Sequence, residues 1–180
     1  MAHAGQEIDN PAMGARIRFR RVARDTDGGL LELDFFLKPG GIVATDHLHP
    51  HQEERFEVIA GVMRGHVGGE PQVVAAGGSS VVAAGVPHAW RNAGDAEAHL
   101  RVQFRPALDT EEMFDTVFAL ARAGRTDHRG VPALRHRLAM LAAFPREFRP
   151  AGMPVRVHGA LASGLAPLGR RLRRGPAVVT

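Results

Sequence analysis

GIVATDHLHPHQEERFEVIAG, residues 41–61, and GGSSVVAAGVPHAWRN, residues 77–92, are the two stretches on which the reading of this chain turns. His47 and His49 stand two apart, so in an extended segment both imidazoles leave the same face and can reach one point. Glu53 and Glu54 follow across a short loop begun by Pro50, and either can bring a carboxylate to that point. His88 arrives on a later extended run, just after Gly85-Val86-Pro87. Three neutral imidazoles and one carboxylate form a donor set suited to Fe, Mn, Ni, Co, Cu or Zn. The 180-residue chain has no cysteine, which excludes disulfides, thiolate nucleophiles, cysteine zinc fingers and iron–sulfur clusters. A metal site must therefore be built from His, Asp and Glu.

Around these stretches, from Ile17 to Arg105, short alternating segments are punctuated by glycine, the pattern of an all-β fold. Leu31, Leu33, Phe35 and Leu37 alternate with Glu32, Asp34 and Phe36, which sets one apolar row on the inner face of a strand before the turn Lys38-Pro39-Gly40-Gly41. Further strands are expected at 56–60, 63–67, 72–75, 80–83, 88–92 and 98–104. The turns between them fall about every ten residues, the spacing of a sandwich or barrel. After Pro106 the period becomes helical. Asp109 and Glu112 form a capping-box candidate for a helix carrying Met113, Val117, Leu120 and Ala121, with Gly124 as its stop. A second helix is expected over 133–144, and a third through Leu161, Leu165, Leu168 and Leu172, interrupted by Gly164 and Pro167. With so few large residues these helices are expected to pack on the barrel or on a partner subunit, with Arg170 to Arg174 trailing into solvent. The division is thus a flexible N-terminal arm over 1–15, a β-domain over 16–106 and a helical extension over 107–180.

Charge is polarised along the chain. Residues 1–124 carry 12 basic and 17 acidic side chains, whereas residues 125–180 carry 11 basic and 2 acidic. Lys38 is the only lysine. A basic tail can meet nucleic acid, but solvated helix faces explain such arginines, and no nucleic-acid partner is expected. No stretch reaches the roughly 20 apolar residues of a membrane helix. Met1 to Asn10 carries acids and no apolar core, so no secretory signal is expected and the expected location is cytoplasmic.

The spacings carry a family resemblance. Gly41, five residues, His47, one residue, His49, four residues, Glu54, six residues, Gly61 matches the first motif of the cupin superfamily. Gly77, five residues, Ala83, one residue, Gly85, two residues, His88, three residues, Asn92 matches the second, with Ala83 where the family usually has proline. Fifteen residues separate Gly61 from Gly77, as in small single-domain bacterial cupins. The match covers about residues 30–106 and leaves the helical part uncovered. The resemblance implies a cupin-type antiparallel jelly-roll β-barrel with a helical C-terminal extension, and His47, His49, Glu54 and His88 as ligands of one divalent transition metal ion per chain, whether Fe, Mn, Ni, Cu or Zn. It selects Glu54 over Glu53 as the carboxylate. Dimers are common among cupins, so a homodimer is expected.

A four-ligand octahedral ion keeps two positions for water, O₂ or a chelating substrate, whereas a tetrahedral zinc would be saturated. No Ser-His-Asp set and no glycine-rich phosphate loop is visible. The expected activity is that of a metal-dependent enzyme, a dioxygenase-like oxidoreductase or a cyclase/isomerase, acting on a small hydrophobic or aromatic oxygen-bearing compound. Glu54 or His51 is the expected proton carrier. Trp90 shares parity with His88, and with Phe35, Phe56, Phe104 and Gln52 it is expected to line the substrate pocket. The alternative is a cupin that binds or senses a small molecule without turnover.

Overall fold

Alternation in the sequence becomes strands in space. The computed structural model describes residues 2–173 and Gly175. Its strands are β1 (Glu7–Asn10), β2 (Ala15–Arg21), β3 (Leu31–Leu37), β4 (His47–Leu48), β5 (Glu53–Ala60), β6 (Val62–Val67), β7 (Glu70–Ala75), β8 (Ser79–Val82), β9 (His88–Asn92), β10 (Ala98–Arg105) and β11 (Arg149–Pro150). They form two antiparallel sheets, a six-stranded one in the order β1-β2-β3-β10-β5-β8 and a five-stranded one in the order β11-β4-β9-β6-β7. The fold is mostly β, as expected, but the two sheets are not closed into a barrel: no described strand is hydrogen-bonded into both.

The apolar row of β3 lies where the period of two puts it. Leu31, Leu33 and Leu37 are fully buried with Ile17 and Phe19 of β2, Phe56 and Val58 of β5 and Met63 of β6. Asp34 belongs to the opposite row and is nonetheless buried, because Arg20 Nη1 and His99 Nε2 close over it at 3.0 and 3.1 Å. The motif glycine Gly61 has φ +92°, and a Cβ there would lie 2.9 Å from Ala98 Cα, so only glycine turns β5 into β6 at this point. Asn92 closes the turn after β9: its Oδ1 accepts from Gly94 N at 2.9 Å and its Nδ2 donates to Leu37 O and Ala96 O.

The first residues depart from the expected flexible arm. Glu7–Asn10 pairs with β2, from Glu7↔Arg18 to Asn10↔Ala15, because Ile8 and Met13 have a core to enter.

Beyond β10 come α1 (Thr110–Arg122), α2 (Leu134–Ala143), α3 (Val155–Gly164) and α4 (Ala166–Arg173). Gly124 stops α1 as expected: it takes φ +66°, its N–H donates to Ala121 O, and Arg125 N donates to Leu120 O. The expected capping box does not form. The Asp109 carboxylate instead accepts from Arg173 Nη2 at 2.8 Å. The third expected helix is two helices: Gly164 ends α3, and Pro167 sits in the first turn of α4, where a missing N–H costs nothing. The helices also make a small core of their own, contrary to expectation. Met113, Leu120, Ala139, Ala143, Phe144 and Leu172 bury one another, because Gly169 lets α4 approach the Ala142–Ala143 backbone. Arg173 is docked rather than trailing, while Arg174 and residues 176–180 of the expected extension lie outside the described residues.

Candidate metal centre

β4 is only two residues long, and its His47 lies in register opposite His88, the first residue of β9. His49 follows β4, and its carbonyl accepts from Gly85 N at 2.8 Å, which ties the first motif to the glycine of the second. Glu54 is the second residue of β5, between Phe104 of β10 and Val82 of β8. Its neighbour Glu53 has the opposite parity and is exposed, so the choice between the two carboxylates is made by the pleat. One ligand atom from each of His47, His49, Glu54 and His88 lies within 4.8 Å of the others, and all four residues are buried.

The three imidazoles are oriented by backbone. His47 Nδ1–H donates to Thr45 O at 2.9 Å, His49 Nδ1–H to Glu147 O at 2.6 Å and His88 Nδ1–H to Val86 O at 3.1 Å. A carbonyl only accepts, so each Nδ1 carries the hydrogen and each Nε2 presents a lone pair. Glu54 Oε2 lies 2.9 Å from His49 Nε2 and 3.0 Å from His88 Nε2. Lone pairs meet a carboxylate at that distance only with a positive species between them, a proton or a metal ion.

The electrostatics agree. Burial pulls the His47 pKa down to about 3, helped by repulsion from His49 and His88, so it stays a neutral ligand. Burial alone would raise the Glu54 carboxyl, but hydrogen bonds and charge from His49 and His88 override it and hold the group ionised, well below the usual range. Burial likewise lowers His88, and the Glu54 hydrogen bond and charge outweigh it and raise the ring. A buried carboxylate among imidazoles needs a counter-charge. Protons on the His49 and His88 rings, or one divalent cation on this donor set, would supply it.

Beside the ligands the interior is apolar and nearly full. Phe35, Phe56, Trp90 and Phe104 line a cavity of about 20 Å³ with Glu54, Val43, Leu100, Val102 and Phe114, where Phe114 reaches in from α1. That volume holds about one water. Trp90 packs edge-on to Phe56 at 4.8 Å, over Gly65, where a Cβ would lie 2.7 Å from the indole. Its Nε1–H is buried without a protein partner. A larger groove, of about 570 Å³, runs over residues 124–137 and includes no ligand residue.

Two of the expected site residues lie elsewhere. His51 is exposed on the turn after Pro50, because the proline interrupts the alternation that aims His47 and His49 inward. Gln52 is buried, but its Nε2 donates to Pro106 O, Ala107 O and Thr110 Oγ1 at the root of α1, outside the cavity lining. Conversely, three residues outside every motif reach the site: Glu147, whose carbonyl holds His49, Phe148, whose ring stacks on His47 at 5.2 Å, and Phe114. The one signal for Glu147 was its isolation, as one of two acids among 11 arginines in residues 125–180.

The model of the family described as the cupin domain matches residues 34–104, from within β3 to the end of the apolar run of β10. Residues 34–104 are a cupin domain. No curated protein matches this chain. Among solved structures it is similar to a predicted oxalate decarboxylase from Thermotoga maritima, with 18% identity over 51% of this chain and 80% of that one and a TM-score of 0.49. It is also similar to a cupin-superfamily sugar phosphate isomerase from Silicibacter pomeroyi, with 23% identity over 53% and 62% of the chains and a TM-score of 0.45. A third similar structure is an RmlC-like cupin from Shewanella frigidimarina, with 19% identity over 62% and 96% and a TM-score of 0.49.

Proposed function

We propose that this cupin is a metal-dependent enzyme, a dioxygenase-like oxidoreductase or a cyclase/isomerase acting on a small hydrophobic or aromatic compound that offers oxygen ligands. The observation that carries the reading is the convergence of His47, His49, Glu54 and His88 on one point at the edge of an apolar cavity. When bound there, a divalent transition metal would supply Lewis acidity or oxygen activation. The chain's own contribution is orientation and exclusion of water. Three backbone carbonyls keep Nε2 of each ring free for the ion, and Phe35, Phe56, Trp90 and Phe104 present a dry wall to the reacting molecule. Glu54 is the one carboxylate in the lining. His51, exposed on its turn, is not part of this reading.

The alternative reading is a cupin that binds or senses a small molecule without turnover; under either reading the cavity of about 20 Å³ has to widen before it takes an organic molecule. Metal analysis by plasma mass spectrometry of untagged protein purified without added metal tests both. Near-stoichiometric Fe, Mn, Ni, Cu or Zn that disappears in the His47→Ala/His88→Ala variant supports the site, and the same variant then separates the two readings, since only the enzyme has turnover to lose. A wild-type protein that neither contains nor takes up metal removes the enzyme reading. The proposal extends to a homodimer, to which Leu134, Val155 and Val157, exposed on α2 and α3, would contribute apolar area. Sedimentation as a monomer at micromolar concentration would contradict it.

A further inference from the structure

The four ligands are not held equally. Glu54 and His88 are members of strands paired along their length, whereas His47 lies in a two-residue strand and His49 just beyond it. What lies on the free side of β4 is the segment between α2 and α3. Its β11 pairs antiparallel with β4, Arg149↔Leu48 and Pro150↔His47, and Ala151 N donates to Asp46 O at 3.0 Å. Glu147 O accepts the His49 ring hydrogen at 2.6 Å, across 98 positions of sequence. Phe148 stacks on the His47 ring, with 22° between the planes.

This segment is itself anchored. The Glu147 side chain is 1% exposed, its Oε1 accepts from Asp109 N at 3.1 Å and its Oε2 from Arg146 N at 3.2 Å. Glu147 N and Phe148 N both donate to Phe144 O. At the root, Arg173 of α4 joins three helices: its guanidinium bonds Asp109 Oδ2 and Glu112 Oε2 at 2.8 Å each, donates to Ala143 O and lies over the Phe144 ring. A carboxylate taken out of water has to be satisfied in place, and both oxygens of Glu147 are, so the residue that carries the carbonyl cannot drift.

We propose that residues 144–150, locked by the Glu147 carboxylate, form a strut from the helical extension that fixes the ring orientation of His49 and His47, with Glu147 as the positioning residue of the metal centre. The inference rests on the metal reading above and concerns how that site is kept in order. Groups that hold a ligand's second nitrogen commonly set metal affinity within one to two orders of magnitude. The same size is expected here, although the contact comes from backbone: without its anchor the carbonyl leaves, and the His49 ring is free to rotate and change tautomer.

The test is Co²⁺ titration of the full chain, following the d–d absorption, for wild type, Glu147→Gln, Glu147→Ala and Arg173→Lys, together with ¹⁵N spectra of the histidine rings without metal. Glu147→Ala is expected to weaken Co²⁺ about 10- to 100-fold, to alter the d–d band and to replace the single proton arrangement of the His49 ring by a mixture of forms. Glu147→Gln, which keeps one accepting oxygen, should fall between it and wild type. Unchanged Co²⁺ affinity, band shape and His49 tautomer in Glu147→Ala overturn the strut. If that variant does not fold, the same unchanged readings in Glu147→Gln and Arg173→Lys overturn it. If wild type binds no Co²⁺, the metal reading fails by itself, and the His49 tautomer still decides whether the strut exists.

Discussion

Glu54 and His47 serve one point in this molecule from opposite kinds of support. Glu54 sits in an eight-residue strand, with β10 on one side and β8 on the other, and its inward aim follows from the pleat alone. His47 sits in a two-residue strand with β9 on one side and, on the other, β11, which arrives from the helical extension about a hundred residues later. The difference teaches that a ligand on a long paired strand is positioned by its own sequence neighbours, whereas a ligand at the frayed start of a sheet borrows order from elsewhere. Local stability varies in the same sense: short strands with few partners open more readily than central ones.

The largest expected effect removes both kinds of support at once. His47→Ala with His88→Ala should abolish bound metal on plasma mass spectrometry while circular dichroism keeps the β signature; retained stoichiometric metal would break the assignment of the ligands. Next, Phe56→Ala, in the well-paired half, should cost about 3–5 kcal/mol in denaturant melts, since a fully buried ring edge-on to Trp90 leaves a cavity. Phe148→Ala, in the borrowed half, is only half buried and should cost about 1 kcal/mol, yet it should disturb Co²⁺ spectra more than Phe56→Ala does. The reverse order would erase the distinction between the two halves.

Arg173→Ala should lower stability by about 1–2 kcal/mol. Its two ion pairs reach partly exposed carboxylates and are screened, so most of the loss comes from the unpaired Ala143 carbonyl. The smallest effect is remote from the site. Burial would raise Asp34, but hydrogen bonds from His99 and Arg20 prevail and hold its pKa below the ordinary 3.8. A lowered folded-state pKa means stability that is present above 3.8 and lost as pH falls through the folded value. Asp34→Asn should therefore flatten the acid limb of a stability-against-pH curve, by about 1 kcal/mol or less given that Arg20 is partly exposed, and should leave Co²⁺ affinity unchanged. A change in Co²⁺ affinity would mean that the two faces of the sheet are coupled.

Much of this was legible in the residues because the signals are local. The two-residue spacing of His47 and His49 and the glycines that flank the ligands are properties of neighbouring residues, and they survive in the structure; the choice of Glu54 over Glu53 came from the motif spacing, and the pleat of β5 agrees with it. Positions past the motif spacing were less legible. His51 lies beyond Pro50, which breaks the alternation, and the Gln52 amide bonds the Pro106–Thr110 junction rather than lining the cavity. The helical extension was read as covering the outside because its apolar residues are few, and helical periodicity reports which face is buried but not against what.

The sequence by itself determined the cupin domain, its four candidate ligands and the strand that carries one of them, His88, since spacing and side-chain chemistry are written in residue types. Only the tertiary structure decided that Phe114 joins the cavity wall, that the sheets stay open, and that a carbonyl at residue 147 holds the ring at residue 49. Every residue has a backbone carbonyl, so no residue type announces which one a histidine will find; that is set by where packing brings the chain back.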